Sequence, residues 1–177
     1  MNNLDLQELA KSIKLVAFDV DGVMTDGSLT FDEDGKEIKT FNAKDGLGVV
    51  MLNRAGITTS IITARNNGTV KVRAEILEIK ELHMGQKYKV PALENIMKKY
   101  NLDYSEVAYM GDDLPDICVL ERVGLKCCPN DAVDEVKKVC NYIAPNGGGR
   151  GAVRDLCDLI LKAKNITYDD IAHTYQQ

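Results

Sequence analysis

A four-residue apolar run, Leu15-Val16-Ala17-Phe18, stops at two carboxylates in Asp19-Val20-Asp21-Gly22-Val23-Met24-Thr25-Asp26-Gly27. So short a run, followed at once by glycine, reads as a buried strand that ends in a loop. Side chains two apart on an extended chain share a side, so Asp19 and Asp21 converge on one small volume. Two like charges that close oppose each other's ionisation unless a cation or a shared proton relieves them. Ligands of open α/β sheets gather at the carboxyl ends of strands. The pair is therefore read as a nucleophilic or metal-binding Asp19 beside a proton-transferring Asp21. Two blander readings compete. Asp-x-Asp-Gly begins calcium loops, but such a loop needs more oxygen ligands before its Gly and a Glu at its end. Asp21-Gly22 is also ordinary turn chemistry.

The rest of the chain alternates strands with helices. Residues 4–12 suit a leading helix and 14–20 the first strand. Ser28–Phe31 and Glu37–Phe41 flank Asp32-Glu33-Asp34-Gly35, a Gly-ended hairpin turn. Asp45 is placed to cap a helix from Gly46 to Arg54, which Gly56 ends. Thr58–Thr63 is a strand, Asn67–Leu77 a helix, Glu81–His83 a short strand and Val90–Tyr100 a helix. Val107–Met110 is another strand, and Pro115 suits the first turn of the helix after it. Leu125–Cys128, a helix near Val133–Val139 and Tyr142–Ala144 follow. A loop at Gly147–Gly151 leads into a helix at Ala152–Lys164. The last thirteen residues, about 165–177, read as a polar, mobile tail.

This order predicts an α/β fold: a Rossmann-like parallel sheet with helices on both faces. The 177 residues, 45% apolar, suit a single domain over 1–177. There is no phosphate-binding Gly-x-x-x-x-Gly-Lys loop, and Gly46-Leu47-Gly48 lacks the third glycine of a dinucleotide loop. The net charge of −5 argues against broad attraction to nucleic acid or anionic membranes. No apolar run is long enough to span a bilayer, and Met1–Ser12 lacks the pattern of a signal peptide. The five cysteines show no Cys-x-x-Cys pair and read as small buried residues in a reducing cytoplasm.

Three further strand ends carry polar residues. They are Thr63-Ala64-Arg65, then Lys87 and Lys89 after Gly85, then Gly111-Asp112-Asp113-Leu114-Pro115-Asp116. Strands lying side by side would bring Asp19, Asp21, Thr63, Lys89 and Asp112 to one site. Taken singly, Thr63 is a strand threonine, Lys89 a solvated helix charge, and Asp113 and Asp116 helix caps. His83 and His173 have no metal-ligand partner at useful spacing and read as structural or exposed.

Together these residues resemble the four motifs of the haloacid dehalogenase superfamily. Asp19-Val20-Asp21-Gly22 matches motif one, Thr63 motif two, Lys89 (rather than Lys87) motif three, and Gly111-Asp112-Asp113 motif four. The resemblance implies a magnesium-dependent phosphotransferase core. By it, Asp19 is the nucleophile, Asp21 the acid/base, Thr63 a phosphoryl ligand and Lys89 the charge-neutralising cation. It assigns Mg2+ to the Asp19 carboxylate, the Asp21 main-chain carbonyl and Asp112, with Asp113 and Asp116 holding metal waters or Lys89. A carboxylate at Asp21, where cation-pumping relatives carry Thr, points to a phosphatase or mutase. The segments 27–58 and 63–89 are too short for a separate cap, which points to a capless hydrolase with a β-hairpin insertion at 28–41. The exposed hairpin edge invites pairing between copies in a closed homo-oligomer.

Asp-Val-Asp-Gly-Val-x-Thr-Asp-Gly, the loop Asn42–Gly46 and Gly148-Gly149-Arg150-Gly151-Ala152-Val153-Arg154 are similar to the branch that acts on keto sugar acid phosphates. That branch implies a tetramer in the sugar pathway of lipopolysaccharide. It implies substrate contacts from Asn42, Ala43, Lys44, Asp45, Gly46, Arg65 and Arg73, beside Asp21 and Lys89. Arg65 and Arg150 stand where phosphatases of nine-carbon acids carry Glu, which favours the 8-phosphate of an eight-carbon acid. Val50 departs from the Lys or Arg of several eight-carbon enzymes. A 9-phosphate phosphatase of a nine-carbon acid and a non-catalytic phosphate- or metal-binding regulatory module therefore stay open, although binding alone does not require Asp21.

Overall fold

The computed structural model describes residues 3–172. Six strands form one parallel sheet, and a separate two-stranded hairpin stands beside it. At the centre of the sheet is β1 (Leu15–Phe18), all four of whose residues are buried. It pairs on one side with β4 (Thr58–Ile62) and on the other with β6 (Val107–Met110). Outside β4 lies β5 (Glu81–His83), and outside β6 lie β7 (Leu125–Cys128) and β8 (Tyr142–Ile143).

Alternation along β1 divides the core in two. Val16 and Phe18 face a layer built from α1 (Asn3–Ser12), α2 (Ala43–Arg54), α3 (Gly68–Ile76) and α7 (Ala152–Ala163). Leu15 and Ala17 face α4 (Lys89–Tyr100), α5 (Ile117–Leu120) and α6 (Asp134–Val139). With both faces covered, β1 carries a continuous apolar run, which is why four residues suffice to mark it in the sequence.

Register then sets the site. Phe18 lies beside Ile61 on one side and Met110 on the other. Asp19, Thr63 and Gly111-Asp112 therefore leave the sheet at the same edge. Between β1 and β4 the chain holds only the hairpin and α2, and between β4 and Lys89 only α3 and β5. Among the described residues no second domain covers the strand ends.

Several boundaries differ from the sequence expectations. The first strand spans Leu15–Phe18 rather than 14–20, because Val20 O turns back to accept from the N–H groups of Val23, Met24 and Thr25. The hairpin strands, β2 (Thr30–Phe31) and β3 (Glu37–Ile38), have two residues each rather than four or five. Its turn is as expected: Asp32 Oδ1 accepts from Asp34 N and Lys36 N, and Gly35 sits at φ +76°.

Asp45 does not cap α2. Asn42 does, accepting from Lys44 N and Asp45 N. Asp45 lies inside the helix, buried, and its carboxylate accepts from Gly151 N (3.2 Å) and Arg154 N (2.9 Å). It thus caps α7 from across the fold, where Gly151 offers no side chain of its own. The tail also departs from expectation over its described part. Ile166 packs on the core, and α8 (Tyr168–Ala172) buries Ile171, while Arg154 Nη2 donates to Tyr168 Oη at 2.7 Å. The remainder of that tail, with His173, lies outside the described residues.

Candidate active site

A cavity of about 370 Å³ opens at the carboxyl ends of the central strands. Its wall includes Asp19, Asp21, Thr63, Arg65, Lys89 and Asp112. The residues that the sequence singled out at four separate strand ends therefore meet in one space.

Lys89 is the hub. It is the first residue of α4, so its stem runs inward from the helix start, and its side chain is buried. Lys87, two residues earlier, is exposed. Lys89 Nζ lies 2.9 Å from Asp19 Oδ2, 2.6 Å from Asp116 Oδ1 and 3.2 Å from Tyr109 Oη. Burial works against an ammonium, but the charges of Asp19 and Asp116 outweigh it, and the Lys89 pKa sits above its ordinary value.

Asp116 holds this hub in place. It is fully buried and all its capacity is engaged. Oδ1 accepts from Lys89 and, at 2.6 Å, from Tyr109 Oη, while Oδ2 accepts from the N–H groups of Asp112 (3.1 Å) and Asp113 (3.4 Å). Pro115, second in the tight turn Leu114–Asp116, favours the bend that brings the Asp116 carboxylate back to those two N–H groups.

The remaining acids are crowded. Burial, partly opposed by Lys89, pushes the Asp19 carboxyl up to about 6. Burial together with the charges of Asp116, Asp19 and Asp113 pushes Asp112 up to about 8. Carboxylate oxygens of Asp19, Asp112 and Asp116 lie within 4.8 Å of one another. Asp112 Oδ1 is buried and has no hydrogen-bond partner among the described residues. Gly22, at φ +80°, lets the loop after β1 pass so close that a Cβ there would lie 2.0 Å from Asp112 Oδ2. An all-oxygen cluster with one orphaned carboxylate oxygen fits a hard divalent cation such as Mg2+. With Asp116 committed to Lys89, Tyr109 and two N–H groups, Asp19 and Asp112 are the side chains that would hold it.

Asp21 turns its carboxylate away from this cluster. Oδ1 forms an ion pair with Lys39 Nζ, and Oδ2 lies 3.5 Å from Arg65 Nε. Glu37 Oε1 in turn accepts from Lys39 (3.0 Å) and Arg65 (3.2 Å), and Oε2 from Asn67 Nδ2 (3.0 Å). Burial opposes the Glu37 charge, but the Lys39 and Asn67 hydrogen bonds and the Lys39 and Arg65 charges hold its carboxyl below the usual range. Thr63, at the end of β4, is buried and accepts from Arg65 N at 3.4 Å.

Other expected contacts lie elsewhere. Asn42, Ala43, Lys44, Asp45, Gly46 and Arg73 do not line this cavity. Asn42 caps α2 and donates from Nδ2 to Gly149 O at 3.2 Å. Ala43 and Lys44 are exposed on the first turn of α2. Gly46 is pressed against Arg73, whose Nη2 donates to Asn42 O at 3.1 Å and whose guanidinium lies over the Phe41 ring. The glycine-rich loop braces the site from behind: Gly149 N donates to Val23 O at 2.9 Å, and Arg150 pairs with Asp26 at 3.1 Å. His83 pairs with Glu81. Sequence inspection missed Lys39, Glu37 and Tyr109. The only signal for the first two was the i, i+2 spacing of opposite charges around Ile38, which on an isolated hairpin reads as a solvated edge.

Residues 65–154 match the family model of haloacid dehalogenase-like hydrolases. The 3-deoxy-D-manno-octulosonate 8-phosphate phosphatase KdsC of Escherichia coli (strain K12) is 39% identical over 160 residues, covering 90% of this chain and 85% of that protein. The crystal structure of the phosphatase of the same name from Moraxella catarrhalis, in complex with magnesium ion, phosphate ion and a KDO molecule, superposes with a TM-score of 0.93. It is 39% identical, over 99% of this chain and 100% of that one. The Yersinia pestis enzyme of that name gives a TM-score of 0.90 at 39% identity, over 92% of this chain and 88% of that one. On this similarity of sequence and fold, the chain belongs to the haloacid dehalogenase-like hydrolase family.

Proposed function

We propose that this protein is a magnesium-dependent phosphatase that hydrolyses 3-deoxy-D-manno-octulosonate 8-phosphate to the free sugar acid and phosphate, in the cytoplasmic route to lipopolysaccharide. The observation that carries this is the cavity in which Asp19 sits against a buried Lys89 and beside an unpartnered Asp112 oxygen. The relative that binds magnesium, phosphate and KDO matches this chain over its full length, which supports the same substrate. Arg65 on the cavity wall supports the eight-carbon acid over a nine-carbon one.

The residues divide the work of phosphoryl transfer. An Asp19 carboxylate oxygen attacks phosphorus, and the bond from phosphorus to the sugar oxygen breaks. The leaving oxygen takes its proton from Asp21. Asp21, now ionised, then removes a proton from water as that water attacks the aspartyl-phosphate. The bond from phosphorus to Asp19 breaks, phosphate leaves, and Asp21 is again protonated. Lys89 faces both the Asp19 carboxylate and the incoming phosphoryl charge. Thr63 donates its hydroxyl to a phosphoryl oxygen. The carboxylates of Asp19 and Asp112 and the main-chain carbonyl of Asp21 would hold Mg2+, which would supply neutralisation of phosphoryl charge when bound.

The hairpin supports assembly into a homotetramer. Leu29, Phe31 and Ile38 of the hairpin are 52, 56 and 48% exposed. An apolar edge of this kind is covered by pairing between copies. Light scattering of the purified protein is expected to give a tetramer, and Phe31→Glu a smaller species; a monomeric wild type would refute it.

Phosphate release from a panel of keto sugar acid phosphates, with and without magnesium, tests the activity. Release from the eight-carbon 8-phosphate, magnesium-dependent and lost in Asp19→Asn, is the expected result. Faster release from a nine-carbon 9-phosphate, or full activity in Asp19→Asn, would overturn it.

A further inference from the structure

On the hairpin the apolar Leu29, Phe31 and Ile38 are exposed, whereas the charged side chains of Glu37 and Lys39 are largely buried. Lys39 is the more surprising of the two, because its side chain is only 2% exposed. A lysine is seldom buried that far without a partner of opposite charge. Here it has two, Glu37 on its own strand and Asp21 at the site.

These groups close a ring. Asp21 binds Lys39, Lys39 binds Glu37, Glu37 binds Arg65, and Arg65 returns to Asp21. Two carboxyl groups alternate with two basic side chains around the ring. Asn67, the cap of α3, anchors it through Glu37. The four side chains come from three segments: the loop after β1, the hairpin, and the loop after β4. Of the four, Lys39 alone is almost fully buried. Its ammonium fixes one oxygen of Asp21, while Arg65 approaches the other at 3.5 Å, beyond a good hydrogen bond.

We propose that Lys39 is a positioning residue for Asp21: from the hairpin it holds the acid/base carboxylate in the orientation that reaches the leaving oxygen, and Glu37 holds Lys39 there. This rests on the assignment of Asp21 as acid/base. Lys39 itself does not line the cavity and acts only through its contact with Asp21. Misplacing a catalytic group by an ångström is enough to lose roughly 100-fold in rate, within the range that general acid–base catalysis contributes.

The test compares wild type, Lys39→Met, Asp21→Asn and the double variant on an alkyl sugar phosphate and on p-nitrophenyl phosphate. The aryl ester has a leaving group that departs without a proton. Lys39→Met is expected to lower kcat/KM for the alkyl ester by roughly 10- to 100-fold, with KM within about threefold. For the aryl ester, kcat/KM should fall by less than about threefold. In the Asp21→Asn background Lys39→Met should cost nothing further, because the group it acts through is gone. Equal loss on both esters, a defect in KM alone, or losses that multiply in the double variant would overturn the proposal. If Lys39→Met does not fold, Glu37→Gln keeps the lysine and loosens its hold. It should show the same alkyl-selective loss at about threefold, and an unselective loss would refute the idea equally. Should the wild type act on other alkyl phosphates but not on the sugar acid, the substrate assignment fails while the Lys39 comparison is still decided on those esters.

Discussion

Replacing Asp116 by Asn removes one charge and almost no volume, so its effect isolates the electrostatics of the Lys89 hub. The Asp116 carboxylate accepts four hydrogen bonds, two at each oxygen. An amide presents an acceptor on one side and donors on the other. If its NH2 faces Lys89 and Tyr109, the buried ammonium loses its closest anion. If it faces the other way, the N–H groups of Asp112 and Asp113 lose their acceptor. Either orientation leaves two buried donors facing a donor, at about 1–3 kcal/mol for each group left unsatisfied. One term works in the opposite direction. The Asp116 charge helps to push up the carboxyls of Asp19 and Asp112, and its removal relieves them. Lys89 also keeps Asp19 at 2.9 Å. The net loss is therefore expected at about 2–4 kcal/mol, near the lower edge of what breaking a buried pair costs. At 2–4 °C per kcal/mol for a chain of this size, the melting temperature should fall by roughly 5–15 °C. Urea unfolding followed by circular dichroism measures it, with an unchanged slope showing that the unfolded state is not the cause. A variant within about 0.5 kcal/mol of wild type, the range of ordinary surface substitutions, would refute the role given to Asp116.

Two further outcomes follow from the same geometry. Because the carboxyls of Asp19 and Asp112 sit at about 6 and about 8 against 3.8, the folded metal-free protein holds more protons than the unfolded chain over that interval. Its stability should fall as pH rises from about 4 towards 8. Magnesium binds the ionised carboxylates and reverses that trend, so its stabilising shift in thermal melts should be larger at pH 8 than at pH 5, and an equal shift at both would contradict the crowding. Asp45→Ala strips the acceptor from a buried and a partly buried N–H group at the start of α7. It should cost about 2 kcal/mol in urea unfolding, whereas unchanged stability with a tenfold rise in KM would return Asp45 to the substrate contacts.

Which features were legible follows from the range of the forces behind them. An apolar run ending in Asp-x-Asp-Gly is a local pattern that marks a strand end and its acids. The shared side that pleating would give Asp19 and Asp21 does not apply, because β1 stops at Phe18 and the chain turns at Val20. Thr63 and Asp112 follow apolar strand residues in the same way, and the parallel register carries all of them to one edge. Boundaries were less legible. Asn42 and Asp45 are both good helix caps, and local chemistry does not rank them. Asp45 is drawn off because α7, far along the chain, begins at a glycine.

The sequence by itself therefore determined the order of the strands and helices and the acids at the strand ends, since each depends on neighbours within a few residues. Only the tertiary structure decided the partners of the buried charges. Lys39 meets Asp21 across 18 residues, Lys89 meets Asp116 across 27, and Asp45 meets Gly151 across 106. A charge stays ionised in a desolvated place beside a counter-charge or hydrogen-bond donors aimed at it, and which of these is near is a property of packing rather than of the residues on either side.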